Sequence, residues 1–203
     1  MSGGGAWARG VKDDVITRAR WRSRRAKGQL IKRSMRAQGG TRSLLLIGAG
    51  QGWTPLDIEV ERAAAAEVPL VVATDLHRYS QVPWPYLVAD GTRLPFTDGT
   101  FDVVVSNAVI EHVGDEQAQR RFVAEHLRVA RHVVITTPNR WFPVETHTKA
   151  FFRHWSPAWR ARHVEVFTRL LSRREFAALL PPGSRIHGRP WSSTFVGITA
   201  GDG

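Results

Sequence analysis

Three glycines at alternate positions, Gly48, Gly50 and Gly52, follow the apolar run Ser43–Ile47. Glycine at that spacing lets a ligand approach the backbone, because no Cβ stands in its way. A tight strand-to-helix turn has the same composition. The dinucleotide pattern G-x-G-x-x-G is not met, since its third glycine position is Trp53. Asp75 ends the run Leu70–Thr74 and lies 27 residues after Gly48. A carboxylate there accepts both hydroxyls of a ribose, and it equally suits a helix cap. Asp90-Gly91 ends Tyr86–Ala89. A carboxylate beside free backbone N–H groups reads the N6 amine and N1 of an adenine edge; the plain alternative is an Asp-Gly turn. Glu111-His112 brings a side chain whose reference pKa of about 6.5 suits a general base. The alternative is that the pair closes a loop through bonds to backbone.

The composition narrows the chemistry. The chain has 203 residues, the size of one domain, with 42% apolar and 23% charged residues. It has no cysteine, which excludes disulfides, thiolate metal sites, iron–sulfur clusters and a cysteine nucleophile. Glu145-Thr146-His147 lacks a second metal-capable pair, so no metal is expected. No apolar run approaches the roughly 18 residues of a membrane span. The start, MSGGGAWARGVKDD, lacks the apolar core of a signal peptide, and the expected compartment is the cytoplasm.

These residues need elements to hold them at one edge. Ser43–Ile47, Leu70–Thr74, Tyr86–Ala89, Phe101–Ser106 and His132–Thr137 are short apolar runs without alternation, which suit strands buried on both faces. Helix signals separate them: Thr54-Pro55 to Glu67, with Thr54 as N-cap, and 115–131, with Phe122, Val123, Leu127 and Ala130 on one face. This alternation predicts an α/β domain with a parallel sheet. Ser172-Arg173-Arg174-Glu175 is a capping box that opens a helix through Leu180. Ser184–Arg189 and Thr194–Thr199 suit a terminal hairpin. The glycines and the two aspartates then share the ligand-binding edge of an open sheet.

Beside that stands a resemblance. LLLIGAGQG, VVATDLH, VADGTRLPFTDGTFDVVVSNAVIEHV and VVITTPNR resemble, in that order, the motifs of class I S-adenosylmethionine-dependent methyltransferases. The likeness covers roughly residues 43–137, and the capping-box helix and hairpin extend it to about 200. It implies a single Rossmann-like domain whose mostly parallel seven-stranded sheet has order 3-2-1-4-5-7-6, the seventh strand antiparallel, with helices on both faces. It implies S-adenosylmethionine as cofactor and S-adenosylhomocysteine as product. Gly48, Gly50 and Gly52 would pass under the methionine and ribose, Asp75 would hold the ribose hydroxyls, Asp90 and Gly91 the adenine, and Asn107 would lie near the sulfonium. Leu46 departs from the family, which usually has an acid two places before the first glycine, near the cofactor's ammonium.

The substrate side is expected in the segment 138–171, which carries 7 of the 19 aromatics. Asn139 and Arg140 offer polar anchors beside Trp141 and Phe142. Such an insertion covers a site and lines an apolar pocket, or else forms a small core of its own. Residues 1–42 are a basic arm, expected without structure at the Gly-rich start and then helical, with 12 Lys and Arg against 2 acids. Residues 43–203 form the domain proper. The arm suits a solvated helix, or RNA through phosphate contacts. The expectation is therefore a methyltransferase acting on a small, partly apolar metabolite. The alternatives are an RNA methyltransferase using the arm, and a catalytically weak cofactor-binding regulatory or assembly subunit, suggested by Leu46.

Overall fold

A computed structural model describes residues 4–50, 54, 56–144, 151–156, 158, 159, 162 and 168–199, with side chains from Thr17 onward except at Ala19 and His154. The unalternated apolar runs form strands: β1 (Ser43–Ile47), β2 (Leu70–Asp75), β3 (Tyr86–Val88), β4 (Phe101–Asn107) and β5 (Ala130–Pro138). β6 (Arg185–His187) and β7 (Thr194–Ile198) complete the sheet. Its order is β3-β2-β1-β4-β5-β7-β6. Neighbours pair in parallel from β3 to β5, and β7 runs antiparallel to both β5 and β6. The expected order and the antiparallel last strand are both present.

Strand periodicity divides the core into two layers. Leu45, Ile47, Val104, Val133 and Ile135 face one way. They pack with Phe122 and Val123 of α3 (Glu116–Val129) and with Phe176 of α4 (Arg173–Leu179). Leu44, Leu46, Val103, Val105 and Val134 face the other way. They meet Ile31 and Met35 of α1 (Gly4–Gln38) and Val60 and Ala64 of α2 (Glu59–Ala65). Asp115 caps α3 by accepting from Ala118 N at 2.8 Å. Ser172 and Glu175 form the expected capping box on α4.

α1 is one continuous helix that begins within the Gly-rich start. Gly39 and Gly40, at φ +64° and +66°, end it, and Gly39 N donates to Arg36 O at 3.2 Å. Part of its basic face docks the helix. Lys32 Nζ and Arg36 Nε each lie 2.6 Å from the Glu67 carboxylate, whose pKa these bonds hold below the ordinary value. Arg25 reaches Glu59 at 3.8 Å. A Cβ at Gly28 would stand 2.9 Å from Ala63 Cβ, so glycine there lets α1 lie close against α2.

α2 is shorter than the expected helix from Thr54 to Glu67. Thr54 Oγ1 donates to Asp57 Oδ2 at 2.7 Å and accepts from Asp57 N at 3.3 Å, while Asp57 N also donates to Thr54 O at 2.9 Å. Thr54 thus closes a separate turn, and α2 starts only at Glu59. Among the described residues no helix is long and apolar enough to cross a membrane.

Candidate functional site

The carboxyl ends of β1, β2, β4 and β5 bring the chemistry-bearing residues together. Gly48 leaves β1 at φ +72°, and its N–H donates to Thr74 O on β2 at 2.8 Å. A side chain there would be strained and would strike Val109 Cγ2 at 2.3 Å. Gly50 N donates to Asp75 Oδ2 at 3.2 Å. A Cβ on Gly50 would meet the Tyr79 ring at 2.1 Å and Asp75 Cβ at 3.0 Å. The β1 turn, the β2 acid and an aromatic ring therefore lie against one another. The other Asp75 oxygen accepts from His77 N at 3.3 Å. Gly52 lies outside the described residues, as do Trp53, Glu145, Thr146 and His147.

Asp90 and Gly91 follow β3. Asp90 Oδ1 accepts from both Thr92 N and Thr92 Oγ1 at 2.8 Å, an Asp-centred turn. Gly91 is buried, and a Cβ there would stand 2.6 Å from the Phe122 ring and 3.3 Å from Ile47 Cγ2. Its missing side chain admits a core phenylalanine.

Asn107, the last residue of β4, is the centre of a polar cluster that sequence reasoning did not find. Lys27 Nζ on α1 donates to Asn107 Oδ1 at 2.8 Å. Thr136 Oγ1 on β5 donates to the same oxygen at 2.8 Å. Asn107 Nδ2 donates to Glu61 Oε1 on α2 at 2.8 Å. An ammonium only donates and an ionised carboxylate only accepts, so these neighbours fix the amide's orientation. Glu61 is 7% exposed, and its second oxygen, Oε2, has no hydrogen-bond partner. Burial pushes the Glu61 carboxyl up, against the opposing pull of the Asn107 bond and the Lys27 charge. Burial lowers the Lys27 ammonium to about 8, partly offset by Glu61 and Glu111. One signal for Lys27 was present in the sequence: positions 27, 31 and 35 repeat every four residues, so Lys27 shares the face of Ile31 and Met35.

Beyond β4 the chain turns sharply. Ala108 takes a left-handed φ of 58°, and its N–H donates to Thr136 O and to Thr136 Oγ1, both at 3.1 Å. A non-glycine residue in that conformation is uncommon and clusters at functional sites. Ile110–His112 form a short 3-10 turn, in which His112 N donates to Val109 O at 2.8 Å. Glu111 is buried and accepts from Thr137 Oγ1 at 3.5 Å, while its carbonyl accepts from Arg169 N at 2.7 Å. His112 itself is half-buried.

Past β5, Asn139 is buried and donates to Pro190 O and Ser192 O at 2.7 and 2.8 Å, while Oδ1 accepts from Trp141 N at 3.0 Å. Arg140 pairs with Glu175 at 3.0 Å and donates to Leu170 O at 3.1 Å. Both polar side chains tie the end of β5 to its neighbours. The aromatics behave differently. Trp141, Phe151, Phe152 and Trp155 are all exposed, and their rings form edge-on pairs: Trp141 with Trp155 at 6.1 Å, Phe152 with Trp155 at 4.9 Å. Trp155 Nε1 donates to Arg140 O at 3.1 Å, anchoring the group. Phe142 is half-buried. A cavity of about 430 Å³ lies elsewhere; Gln38–Thr41, Asp102, Arg131 and His132 line it at the opposite, amino end of the strands. Among the described residues no group of three or more His, Asp or Glu is placed to hold a metal.

Residues 45–133 match the methyltransferase-domain family. Among solved structures, the chain is similar to an S-adenosylmethionine-dependent methyltransferase of Thermotoga maritima, with 15% identity and a TM-score of 0.57 over 91% of this chain and 94% of that one. It is also similar to one from Mesorhizobium loti, at 15% identity and a TM-score of 0.52, covering 81% and 94%. A third is the 1,6-didemethyltoxoflavin-N1-methyltransferase of Burkholderia thailandensis, with 1,6-didemethyltoxoflavin and S-adenosylhomocysteine bound, at 16% identity and a TM-score of 0.51, covering 98% and 90%. At these identities the likeness is one of fold. No curated protein matches the chain.

Proposed function

We propose that this chain is a class I S-adenosylmethionine-dependent methyltransferase that transfers a methyl group to a small, partly apolar acceptor. The observation that carries this reading is the closure of the β1 turn on the β2 acid, with Gly50 N bonded to Asp75 at 3.2 Å. That arrangement sets a carboxylate at the rim of the glycine turn, with the Tyr79 ring lying against both. It suits a nucleoside, with Asp75 accepting the ribose hydroxyls beside the backbone of Gly48 and Gly50. Asp90 and Gly91, one strand further, take the adenine edge. Asn107 lies at the reacting end.

When bound, the cofactor supplies a sulfonium methyl already activated for in-line attack. The chain's own part is to orient the acceptor and keep water out, so no strong catalytic side chain is required. His112, on the turn after β4, serves as base where the acceptor must lose a proton. Trp141 and Phe142, with the neighbouring exposed rings, border the acceptor, and Asn139 and Arg140 hold that segment to the sheet. We favour a small acceptor over RNA because α1 uses several of its cations on Asp57, Glu59 and Glu67. The aromatic group just past β5 supplies apolar surface in the same region.

Calorimetric titration tests the reading. S-adenosylhomocysteine should bind and raise the melting temperature, and NADH should do neither. Asp75→Ala should weaken binding by about 1.5–3 kcal/mol, the scale of a charge-assisted hydrogen bond. Stabilisation by NADH alone would overturn it.

A further inference from the structure

We propose that Lys27 and Glu61, with Asn107 between them, bind the amino-acid end of the cofactor: Lys27 its carboxylate and Glu61 its ammonium. The assignment rests on the cofactor reading above and specifies one end of it.

Position comes first. Neighbouring strands are about 4.8 Å apart, and the order is β3-β2-β1-β4. A nucleoside with its base beyond β3 and its ribose at Asp75 on β2 sends its 5′ substituent across the β1 glycine turn. Two strand spacings, about 10 Å, bring that substituent to the end of β4. Asn107 stands there, with Lys27 above it on α1 and Glu61 beside it on α2.

Charge comes second. An amino-acid group carries one ammonium and one carboxylate, and the cluster offers one partner of each opposite sign. Its neutral amide holds the two apart, so each keeps capacity for a further bond. Lys27 has three donors and gives one to Asn107. Glu61 accepts from Asn107 through Oε1, while Oε2 is buried with no partner. A buried carboxylate oxygen without a donor is costly unless something occupies it.

The third observation is Leu46. It is fully buried on the face that α1 and α2 cover, packed with Ile31 and Met35. No acid is available on β1 to face an ammonium. Asn107 occupies that same face by strand alternation with Val103 and Val105. The acidic partner thus comes to this face of the sheet from helix α2 instead of strand β1.

Affinity measurements on matched ligands separate this assignment from a supporting role. S-adenosylhomocysteine carries both charged groups, and 5′-methylthioadenosine carries neither. Glu61→Gln and Lys27→Met should each weaken S-adenosylhomocysteine at least tenfold and leave 5′-methylthioadenosine within about twofold. Decarboxylated S-adenosylmethionine keeps the ammonium and lacks the carboxylate. The wild-type protein should bind it at least tenfold more weakly than S-adenosylmethionine, and Lys27→Met should abolish that preference. This comparison in the wild-type protein needs no variant to fold. Equal losses for both nucleosides in the variants, no loss for either, or equal wild-type affinity for the decarboxylated ligand would overturn the assignment while leaving the cofactor reading intact. Failure of the wild-type protein to bind any of these nucleosides would overturn both.

Discussion

The two faces of the sheet are built on different principles. Under α3 and α4 the layer is dry: Phe122, Phe176 and Phe195 are wholly buried, and the close approach of Gly91 makes room for one of those rings. Polar residues are buried there too, Glu111, Gln119 and His126 among them; His126 is in ring contact with Phe122, and desolvation lowers its pKa to about 4, so it stays neutral. Under α1 and α2 the layer mixes Ile31, Met35 and Val60 with Lys27, Asn107 and Glu61. Ion pairs at its rim help to hold the helices down. One face concentrates apolar burial, which stabilises. The other keeps the Lys27–Asn107–Glu61 group, whose desolvated charges cost stability.

Truncation of the dry face should give the largest effect. Phe122→Ala should destabilise by about 3–5 kcal/mol, read as a lower denaturant midpoint with unchanged slope. A loss under about 1 kcal/mol would mean that the dry face is not where stability resides.

Titration should then resolve the faces separately. His126 binds a proton more readily unfolded, at about 6.5, than folded, at about 4. Its contribution is complete above pH 6.5 and is lost as pH falls toward 4, about 3 kcal/mol in all. Its own helix contributes Glu125, whose charge opposes the shift slightly. Lys27 has the same sign in another window. Its pKa drops from 10.5 to about 8 on folding, so stability should rise by about 3 kcal/mol from pH 8 to 10.5. His126→Leu should flatten only the acid slope and Lys27→Met only the alkaline one. A single variant that flattens both would show the faces to be coupled.

The smallest stability effect is expected outside both layers. Trp141 is 55% exposed, so Trp141→Ala should alter stability by no more than about 0.5 kcal/mol. Cofactor affinity should stay within about 1 kcal/mol while turnover or acceptor preference changes. A loss of several kcal/mol in stability would instead mark these rings as a core of their own.

Strands were legible because parallel strands buried on both faces leave unalternated apolar runs, and Ser43–Ile47 matches β1 residue for residue. The capping box at Ser172 was legible because its chemistry is local. α2 was misjudged because Thr54-Pro55 is a good opening for a helix or a turn, and Asp57 decides for the turn. Lys27 and Glu61 escaped for a different reason. Within a run holding 12 basic residues, a lysine aimed inward looks like those aimed at water. What makes it significant is Asn107, 80 residues away, and only tertiary packing brings them together. Gly91 shows the converse, a turn glycine whose close contact is with a phenylalanine of α3.

The position of β7 has a consequence for how the chain is made. Thr194–Ile198 is an interior strand, inserted between β5 and β6 although it follows both in sequence. Until it is synthesised, β5 offers Val134 to Pro138 as an unpaired edge, and Phe195 cannot complete the dry layer. A nascent chain with β1 to β5 already paired would therefore carry an open apolar margin, the kind that invites wrong pairing between molecules. Synthesis and closure are thus tied together in time: the β5 edge is covered only once β7 pairs with it.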